Sequence, residues 1–260
     1  MSMGRVFAIA GKGGVGKTTI SALFISYLAK RTGKIVLGVD ADPNYNLGDR
    51  MGIDVQKTIG DIREEFQKSA DETSEVSKQE KVAYYLQTST QEGHDFDLIT
   101  MGRPEGKGCY CYINSILRDY LDEAIGKYSS VVIDNEAGME HLSRLTCKNM
   151  DALIIVADAT AVGLKTAKRI LELALSLDIN IKTTALVVNR IPEGMKAENI
   201  PEGFSAVYYI PCDETISRLA MEGKTLELES SNPAYMAVKE MADDALQGKI
   251  KNFLENSKRY

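Results

Sequence analysis

The 260-residue sequence lacks long apolar runs, a high cysteine content and an excess of positive charge. No segment approaches the ~20 apolar residues of a membrane-spanning helix, and the chain begins by entering a predicted strand rather than a signal peptide. Four cysteines are too few for a disulfide framework in a chain of this length, so we interpret them as reduced thiols in a cytoplasmic protein. The formal net charge of −6 argues against a nucleic-acid partner, which usually needs a basic face.

The composition, 44% hydrophobic and 26% charged, is ordinary for a globular protein, and the length suits one large domain over residues 1–260. Apolar runs alternate with helical patterns, which predicts an α/β fold: a doubly wound, mostly parallel sheet with helices on both faces. The predicted strands are Val6–Ala10, Ile35–Asp40, Asp97–Thr100, Val131–Asp134, Leu153–Ala157, Ala185–Asn189 and Val207–Ile210. The predicted helices are Thr18–Lys30, Ile113–Ile125, His141–Asn149, Leu164–Leu177, Asp213–Met221 and Pro233–Leu254, with a further surface helix around Asp61–Lys68 in an insertion over 54–95.

One short segment after the first predicted strand fits the phosphate-binding pattern G-x-x-x-x-G-K-[ST]. Its residues are Gly11, Lys12, Gly13, Gly14, Val15, Gly16, Lys17, Thr18 and Thr19. Glycines let the backbone turn tightly and aim several N–H groups at one anion, and the following helix places its N-terminus there. We therefore expect the backbone from Gly13 to Thr19 to bind nucleotide phosphates, Lys17 to reach the terminal phosphates, and the Thr18 hydroxyl to bind Mg²⁺.

Aspartates end two of the predicted strands. Asp40 and Asp42 follow the second strand two residues apart, and Asp134 ends an apolar strand as a Walker B aspartate does. One or two carboxylates commonly help hold Mg²⁺ beside phosphates. The alternative for Asp40 and Asp42 is a helix cap or a turn, since acids are common before proline.

A Cys-x-Cys pair, Cys109 and Cys111, follows the third predicted strand. Two thiolates rarely complete a four-coordinate site, but a two-fold dimer would supply four, which suits Zn²⁺, Ni²⁺ or an iron–sulfur cluster. The alternative is two unrelated small residues in a glycine-rich loop. No role is assigned to the remaining thiols or to the residues beside Asp134, and His141 is interpreted as the start of a helix. These residues are Cys147, Cys212, Glu136, Glu140 and His141.

The second lysine of the loop, the Asp40-Ala-Asp42 turn and the Asp134-x-x-Ala-Gly138 segment together resemble the deviant Walker A ATPases over nearly the whole chain. That family includes partition and division-site ATPases, the nitrogenase iron protein and metal-centre maturation factors. The resemblance implies an ATP-driven homodimer in which Lys12 crosses to the partner subunit's phosphates, Asp42 positions the attacking water, and Asp40 and Asp134 support Mg²⁺. It also implies that the nucleotide base is bound by Asn189, Pro211 and Asp213.

Three segments are more specifically similar to the CooC-type accessory ATPases: Arg103–Cys111, Asp134–Leu142 and Ser231–Ala234. This resemblance implies that paired Cys109 and Cys111 bind a metal at a dimer interface that ATP or the metal closes. It also implies a client enzyme, because these ATPases serve nickel insertion into carbon monoxide dehydrogenase, and a close relative serves acetyl-CoA synthase. Two alternatives stay open: a positioning ATPase without a metal, and an electron-transfer ATPase with a bridging iron–sulfur cluster, although residues 134–140 contain no cysteine.

Overall fold

The computed structural model describes residues 4–69, 84, 87–102, 126–137, 149–192 and 194–250. The strands are β1 (Arg5–Gly11), β2 (Val36–Asp40), β3 (Thr90–Glu92), β4 (Phe96–Thr100), β5 (Ser130–Asp134), β6 (Asn149–Met150), β7 (Ala152–Asp158), β8 (Asn180–Ile181), β9 (Thr184–Ile191) and β10 (Ala206–Pro211). The helices are α1 (Lys17–Thr32), α2 (Leu47–Met51), α3 (Ile59–Ser69), α4 (Ala161–Ser176), α5 (Glu214–Met221) and α6 (Pro233–Gln247).

Eight of the strands in the described residues form one sheet in the order β10-β9-β7-β1-β5-β2-β4-β3. Every pairing in it is parallel except that of β3, which runs antiparallel to β4 at one edge. Strands β6 and β8 form a separate two-stranded parallel pair. The predicted fold class, a mostly parallel sheet in an α/β protein, is confirmed.

Helices cover both faces of the sheet, and alternate residues of β1 show how the sequence dictates this. Val6 and Ala8 belong to a buried cluster that includes the apolar side of α4. Phe7 and Ile9 belong to the opposite cluster, with α1 and α6, where Phe7 meets Phe24 edge to face at 5.3 Å between ring centroids. Strands buried on both faces need no polar alternation, which explains their continuous apolar runs.

Two predicted helix boundaries were wrong. Helix α6 ends at Gln247, not Leu254, because Gly248 adopts a left-handed conformation (φ 62°) and its N–H caps the carbonyls of Ala245 and Asp244. Asn149 was predicted to end a helix, but it lies in β6 and pairs with Asn180. The predicted helix Ile113–Ile125, residues 141–148 and residues 251–254 lie outside the described residues.

The parallel arrangement brings the carboxyl ends of the central strands to one edge of the sheet. Asp40 and Asp134 are register partners there, between β2 and β5, and Ile9 of β1 is the register partner of Asp134 on its other side. Ligands of open α/β sheets bind at this edge. Among the described helices, none combines the length and the apolar character that crossing a membrane requires.

Candidate functional site

The predicted phosphate-binding loop joins β1 to α1, in the strand–loop–helix order that this motif requires. Gly14 (φ 78°) and Gly16 (φ 96°) adopt left-handed conformations, and Gly16 is the N-cap of α1. A Cβ atom on Gly16 would lie 2.5 Å from the side-chain nitrogen of Asn189. The glycine spacing is therefore fixed by backbone conformation and by close packing against β9.

The two lysines of the loop occupy different environments. Lys17 is only 7% exposed, and its Nζ donates a hydrogen bond to the carbonyl of Lys12 at 3.3 Å. Burial lowers the pKa of Lys17, although the nearby carboxylates of Asp134, Asp42 and Glu136 oppose that shift. Lys12, in contrast, is exposed, so its side chain can contact another molecule.

Asp134 presents a carboxylate with unused coordination capacity. It is 1% exposed, and Oδ1 accepts a hydrogen bond from the Ser21 hydroxyl at 2.9 Å, whereas Oδ2 has no hydrogen-bond partner among the described residues. Burial raises the pKa of Asp134 to about 6, and the nearby hydroxyls of Thr18 and Ser21 and the Lys17 ammonium offset part of that rise. Ser21 could not be identified from the sequence, because a serine within a helix carries no signal of its distant partner.

Asp40 is equally buried but fully engaged with backbone. Its Oδ2 accepts the N–H of Leu47 at 2.8 Å, and its Oδ1 accepts the N–H of Asp42 at 3.1 Å. Desolvation and the neighbouring Asp134 carboxylate raise the pKa of Asp40 well above its usual value. The side chain thus braces the turn and the start of α2, which is the alternative that the sequence left open for this residue.

Asp42 lies in the turn that Asp40 braces. Its Oδ1 accepts hydrogen bonds from the backbone and side-chain nitrogens of Asn44 at 2.8 and 3.0 Å. The side chain is half-exposed and borders a cleft over the phosphate-binding loop. The Asp42 carboxylate therefore lies where it could contact a nucleophilic water beside a bound phosphate chain.

This cleft has a volume of about 620 Å³. The predicted residues that border it are Gly13, Gly14, Gly16, Lys17, Thr18, Thr19 and Asp42. Other residues that border the cleft had no predicted role, and they include the cations Arg50, Arg190 and Lys224. An anionic ligand on the loop would face these cations as well as the backbone N–H groups.

Asn189, predicted to bind the nucleotide base, contacts the phosphate-binding loop in this structure. Its Nδ2 donates to the carbonyl of Val15 at 2.8 Å, and its Oδ1 accepts the N–H of Arg190 at 2.9 Å. Arg190 adopts a left-handed conformation (φ 58°) and its guanidinium donates to the carbonyl of Gly14 at 3.1 Å. The end of β9 thus clamps the phosphate-binding loop at two carbonyls.

The other two predicted base-binding residues do not border the cleft. Pro211 ends β10, and Asp213 caps α5 by accepting the Ile216 N–H at 2.8 Å and the Asn232 side-chain amide at 2.6 Å. Between them, the exposed thiol of Cys212 donates to the carbonyl of Arg190 at 3.0 Å.

The Cys-x-Cys prediction falls beyond the residues that can be described. Cys109 and Cys111 lie in the gap between residues 102 and 126, and Glu140, His141 and Cys147 lie in the gap between 137 and 149. Within the described ranges, no three His, Cys, Asp or Glu side chains are grouped as metal ligands would be.

The sheet and its loop define a P-loop nucleotide-binding protein. The CobQ/CobB/MinD/ParA nucleotide binding domain matches residues 6–226, and the chain belongs to this family of ATP-binding P-loop proteins. An uncharacterized ATP-binding protein of Methanocaldococcus jannaschii is 39% identical over 253 residues, covering 94% of this chain and 100% of that protein. The carbon monoxide dehydrogenase accessory protein CooC of Rhodospirillum rubrum is 29% identical over 231 residues, covering 83% of this chain and 87% of that protein.

Solved structures share the fold at low identity. A ParA family ATPase from Chlorobium tepidum superimposes with a TM-score of 0.69 at 21% identity, covering 95% of this chain and 99% of that one. The septum site-determining protein MinD of Pyrococcus horikoshii, solved with Mg-ADP, gives a TM-score of 0.66 at 19% identity, covering 95% and 99%.

Proposed function

We propose that this protein is a homodimeric, ATP-hydrolysing maturation factor that carries nickel at a Cys-x-Cys site formed between two subunits. Its client would be carbon monoxide dehydrogenase or acetyl-CoA synthase. The similarity to the carbon monoxide dehydrogenase accessory protein of R. rubrum, which extends over 83% of the chain, supports the choice of client.

One juxtaposition carries the proposal. The segment that contains Cys109 and Cys111 leaves the sheet after β4, at the same edge as the phosphate-binding loop. At that exit the N–H of Met101 donates to the carbonyl of Asp40 at 2.9 Å, and the N–H of Ala41 donates to the carbonyl of Asp134 at 2.9 Å. Two backbone hydrogen bonds therefore connect the base of the cysteine-bearing segment, through the end of β2, to Asp134 at the end of β5.

Magnesium fits Thr18, which borders the nucleotide cleft, and the buried Asp134 close to it. Asp134 keeps one buried oxygen without a partner among the described residues, and the Thr18 hydroxyl lies beside it. Hard oxygen donors of this kind suit Mg²⁺. Thr18 and Asp134 would hold the ion, which supplies positive charge against the phosphates when bound. Lys17 would hold the terminal phosphates, and Asp42 would orient the attacking water. Binding of the nucleotide base by Asn189, Pro211 and Asp213 stays a prediction.

The exposed lysine of the loop supports the proposed dimer. The Lys12 side chain is exposed, and in the proposed dimer its ammonium would reach the phosphates of the partner subunit. ATP would thereby close the dimer and bring four thiolates together around nickel. Because the two events favour the same state, nickel and ATP would each tighten the binding of the other.

The decisive experiment measures bound nickel and particle mass in the same anaerobic sample, with and without ATP. We expect one nickel per dimer for the wild type and loss of that nickel for the Cys109→Ser/Cys111→Ser variant. Cys212→Ser is the matched control, because Cys212 is an exposed thiol outside the pair. In Lys12→Ala we expect nucleotide binding to persist while hydrolysis is lost.

Other outcomes would reject parts of this proposal. Nickel that stays with the double serine variant would disprove the Cys-x-Cys site. A dimer that hydrolyses ATP but takes up neither Ni²⁺ nor Zn²⁺ would favour a metal-free positioning ATPase. A brown protein that contains iron and sulfide would favour the electron-transfer alternative.

A further inference from the structure

A second cleft of about 620 Å³ lies at the same edge of the sheet as the nucleotide cleft but shares no bordering residue with it. It is bordered by the first half of α4 and by described residues between β9 and β10, which include Pro192 and residues 195–199. Its apolar side chains include Leu164 and Ile191, each only 4% exposed, together with Met195, which is 61% exposed. The folded protein therefore already has a partly apolar cleft in which an apolar group of a ligand could be buried.

Three lysines surround these apolar side chains. Lys165, Lys168 and Lys196 border the cleft, and Glu198 is the one acid among its bordering residues that the structure describes. Basic side chains thus outnumber acidic ones around the cleft, whereas the whole chain has a formal net charge of −6. The cleft is thus a basic site in an acidic protein.

The three lysines differ in whether their ammonium groups already have hydrogen-bond or ion-pair partners. The Nζ of Lys168 donates to the carbonyl of Glu202 at 2.8 Å and lies 3.9 Å from the carboxylate of Glu172. Lys165 and Lys196 are exposed, and their ammonium groups have no hydrogen-bond or ion-pair partner among the described residues. Two charges at the rim are therefore available to an incoming anion.

We propose that this cleft docks an extended acidic segment of a partner protein. An apolar side chain of that segment would pack mainly on Met195 and on the small exposed parts of Leu164 and Ile191. Flanking carboxylates would pair with Lys165 and Lys196. Charge complementarity selects this partner, because an apolar cleft with free ammonium groups at its rim disfavours both a basic segment and a purely apolar one.

The position of the cleft next to the nucleotide cleft adds weight to this assignment. Ile191 borders the second cleft, while its neighbour Arg190 borders the first and donates to Gly14 of the phosphate-binding loop at 3.1 Å. A segment docked here would lie within one residue of the clamp that holds that loop. The proposal does not depend on nickel or on the cysteine pair.

The test uses fluorescence anisotropy with a fluorescein-labelled peptide, Glu-Leu-Glu-Glu-Leu-Glu, titrated with the full chain. We expect binding that weakens with salt. The variant Lys165→Ser/Lys196→Ser should bind about tenfold more weakly, since two exposed ion pairs are lost. The matched control, Lys34→Ser/Lys249→Ser, removes two exposed lysines elsewhere and should stay within about twofold of the wild type. ATP hydrolysis should be unchanged in both variants.

Peptide variants test the same proposal on the unmodified protein. Replacing leucine by serine, or glutamate by glutamine, should each weaken binding. If the serine peptide binds as tightly as the leucine peptide, the cleft is a simple anion site and the proposal is overturned. If the leucine peptide binds the Lys165→Ser/Lys196→Ser variant as tightly as the wild type, the proposal is also overturned. If light scattering shows that the wild type self-associates in the absence of ATP and that this variant does not, the occupant is a second copy of the chain, which also overturns the proposal.

Discussion

Two neighbouring strand ends, those of β2 and β5, place the same residue type at the same level of the sheet and use it differently. Asp40 and Asp134 are register partners, and both are almost fully buried. Both oxygens of Asp40 accept backbone N–H groups, whereas Oδ2 of Asp134 has no partner among the described residues. A buried oxygen without a partner costs free energy that a bound cation can offset. Local backbone donors, not residue type, therefore separate a structural brace from a candidate metal ligand.

The largest expected effect comes from removing the charge of Asp134. In Asp134→Asn the shape is kept and Ser21 can still donate to Oδ1, but the carboxylate that would hold Mg²⁺ is lost. We expect ATP hydrolysis to fall by about 10²–10³-fold, the scale seen when one electrostatic stabiliser is removed from an active site. Steady-state hydrolysis at increasing Mg²⁺ concentration measures this effect. Hydrolysis within twofold of the wild type would place the magnesium site elsewhere.

The pH dependence of stability gives a second test of the same carboxylate. Burial raises the pKa of Asp134 from its usual 3.8 to about 6, so between these values the folded state holds a proton that the unfolded state has released. In the metal-free protein the free energy of unfolding should therefore decrease as pH rises from about 4 to about 6, by up to about 3 kcal/mol. Asp134→Asn lacks this loss, so its stability relative to the wild type should increase with pH.

Urea unfolding in EDTA, at several pH values and without nucleotide, measures both profiles. The difference between them also contains the repulsion that Asp134 exerts on Asp40. Profiles that run parallel would show that Asp134 has an ordinary affinity for protons in the folded protein.

A smaller effect on stability, opposite in sign to that of Asp134→Asn, is expected when Asp40, which braces its turn, is replaced. Asparagine at position 40 keeps one acceptor oxygen, so one of the N–H groups of Leu47 and Asp42 would face an amide that cannot accept it. An unsatisfied buried donor costs about 1–3 kcal/mol, and we expect Asp40→Asn to lose about 2 kcal/mol of stability at about pH 4. At that pH Asp40 holds a proton in the folded protein, so the substitution removes no buried charge that would offset the loss. The matched measurement is Asp134→Asn, which should not be destabilised. If both variants lose stability equally, the two aspartates do not differ in the way that their hydrogen bonds indicate.

The sequence could predict the sheet and the loop because their signals are local. Apolar runs mark β1, β2 and β5, and the glycine spacing from Gly11 to Gly16 marks the turn that follows. It could not distinguish Asp40 from Asp134, because the hydroxyl that binds Asp134 belongs to Ser21, which lies 113 residues away in the chain. The two-residue strands β6 and β8 are too short to show any periodicity. Helix α6 was predicted too long because its apolar spacing continues past Gly248 into Ile250.

The smallest expected effect concerns Asn189, at the end of a third strand, where sequence and geometry indicate different roles. The resemblance to deviant Walker A ATPases predicts that its amide binds the nucleotide base, but both amide atoms are occupied by Val15 and Arg190. If Asn189 braces the loop as Asp40 braces its turn, Asn189→Ala should weaken ATP and GTP by the same factor, about fivefold for one lost hydrogen bond. Titrations with fluorescent analogues of both nucleotides measure this ratio. Weaker binding of ATP alone would show that the amide leaves Val15 to bind adenine, and β9 would then supply a ligand rather than a brace.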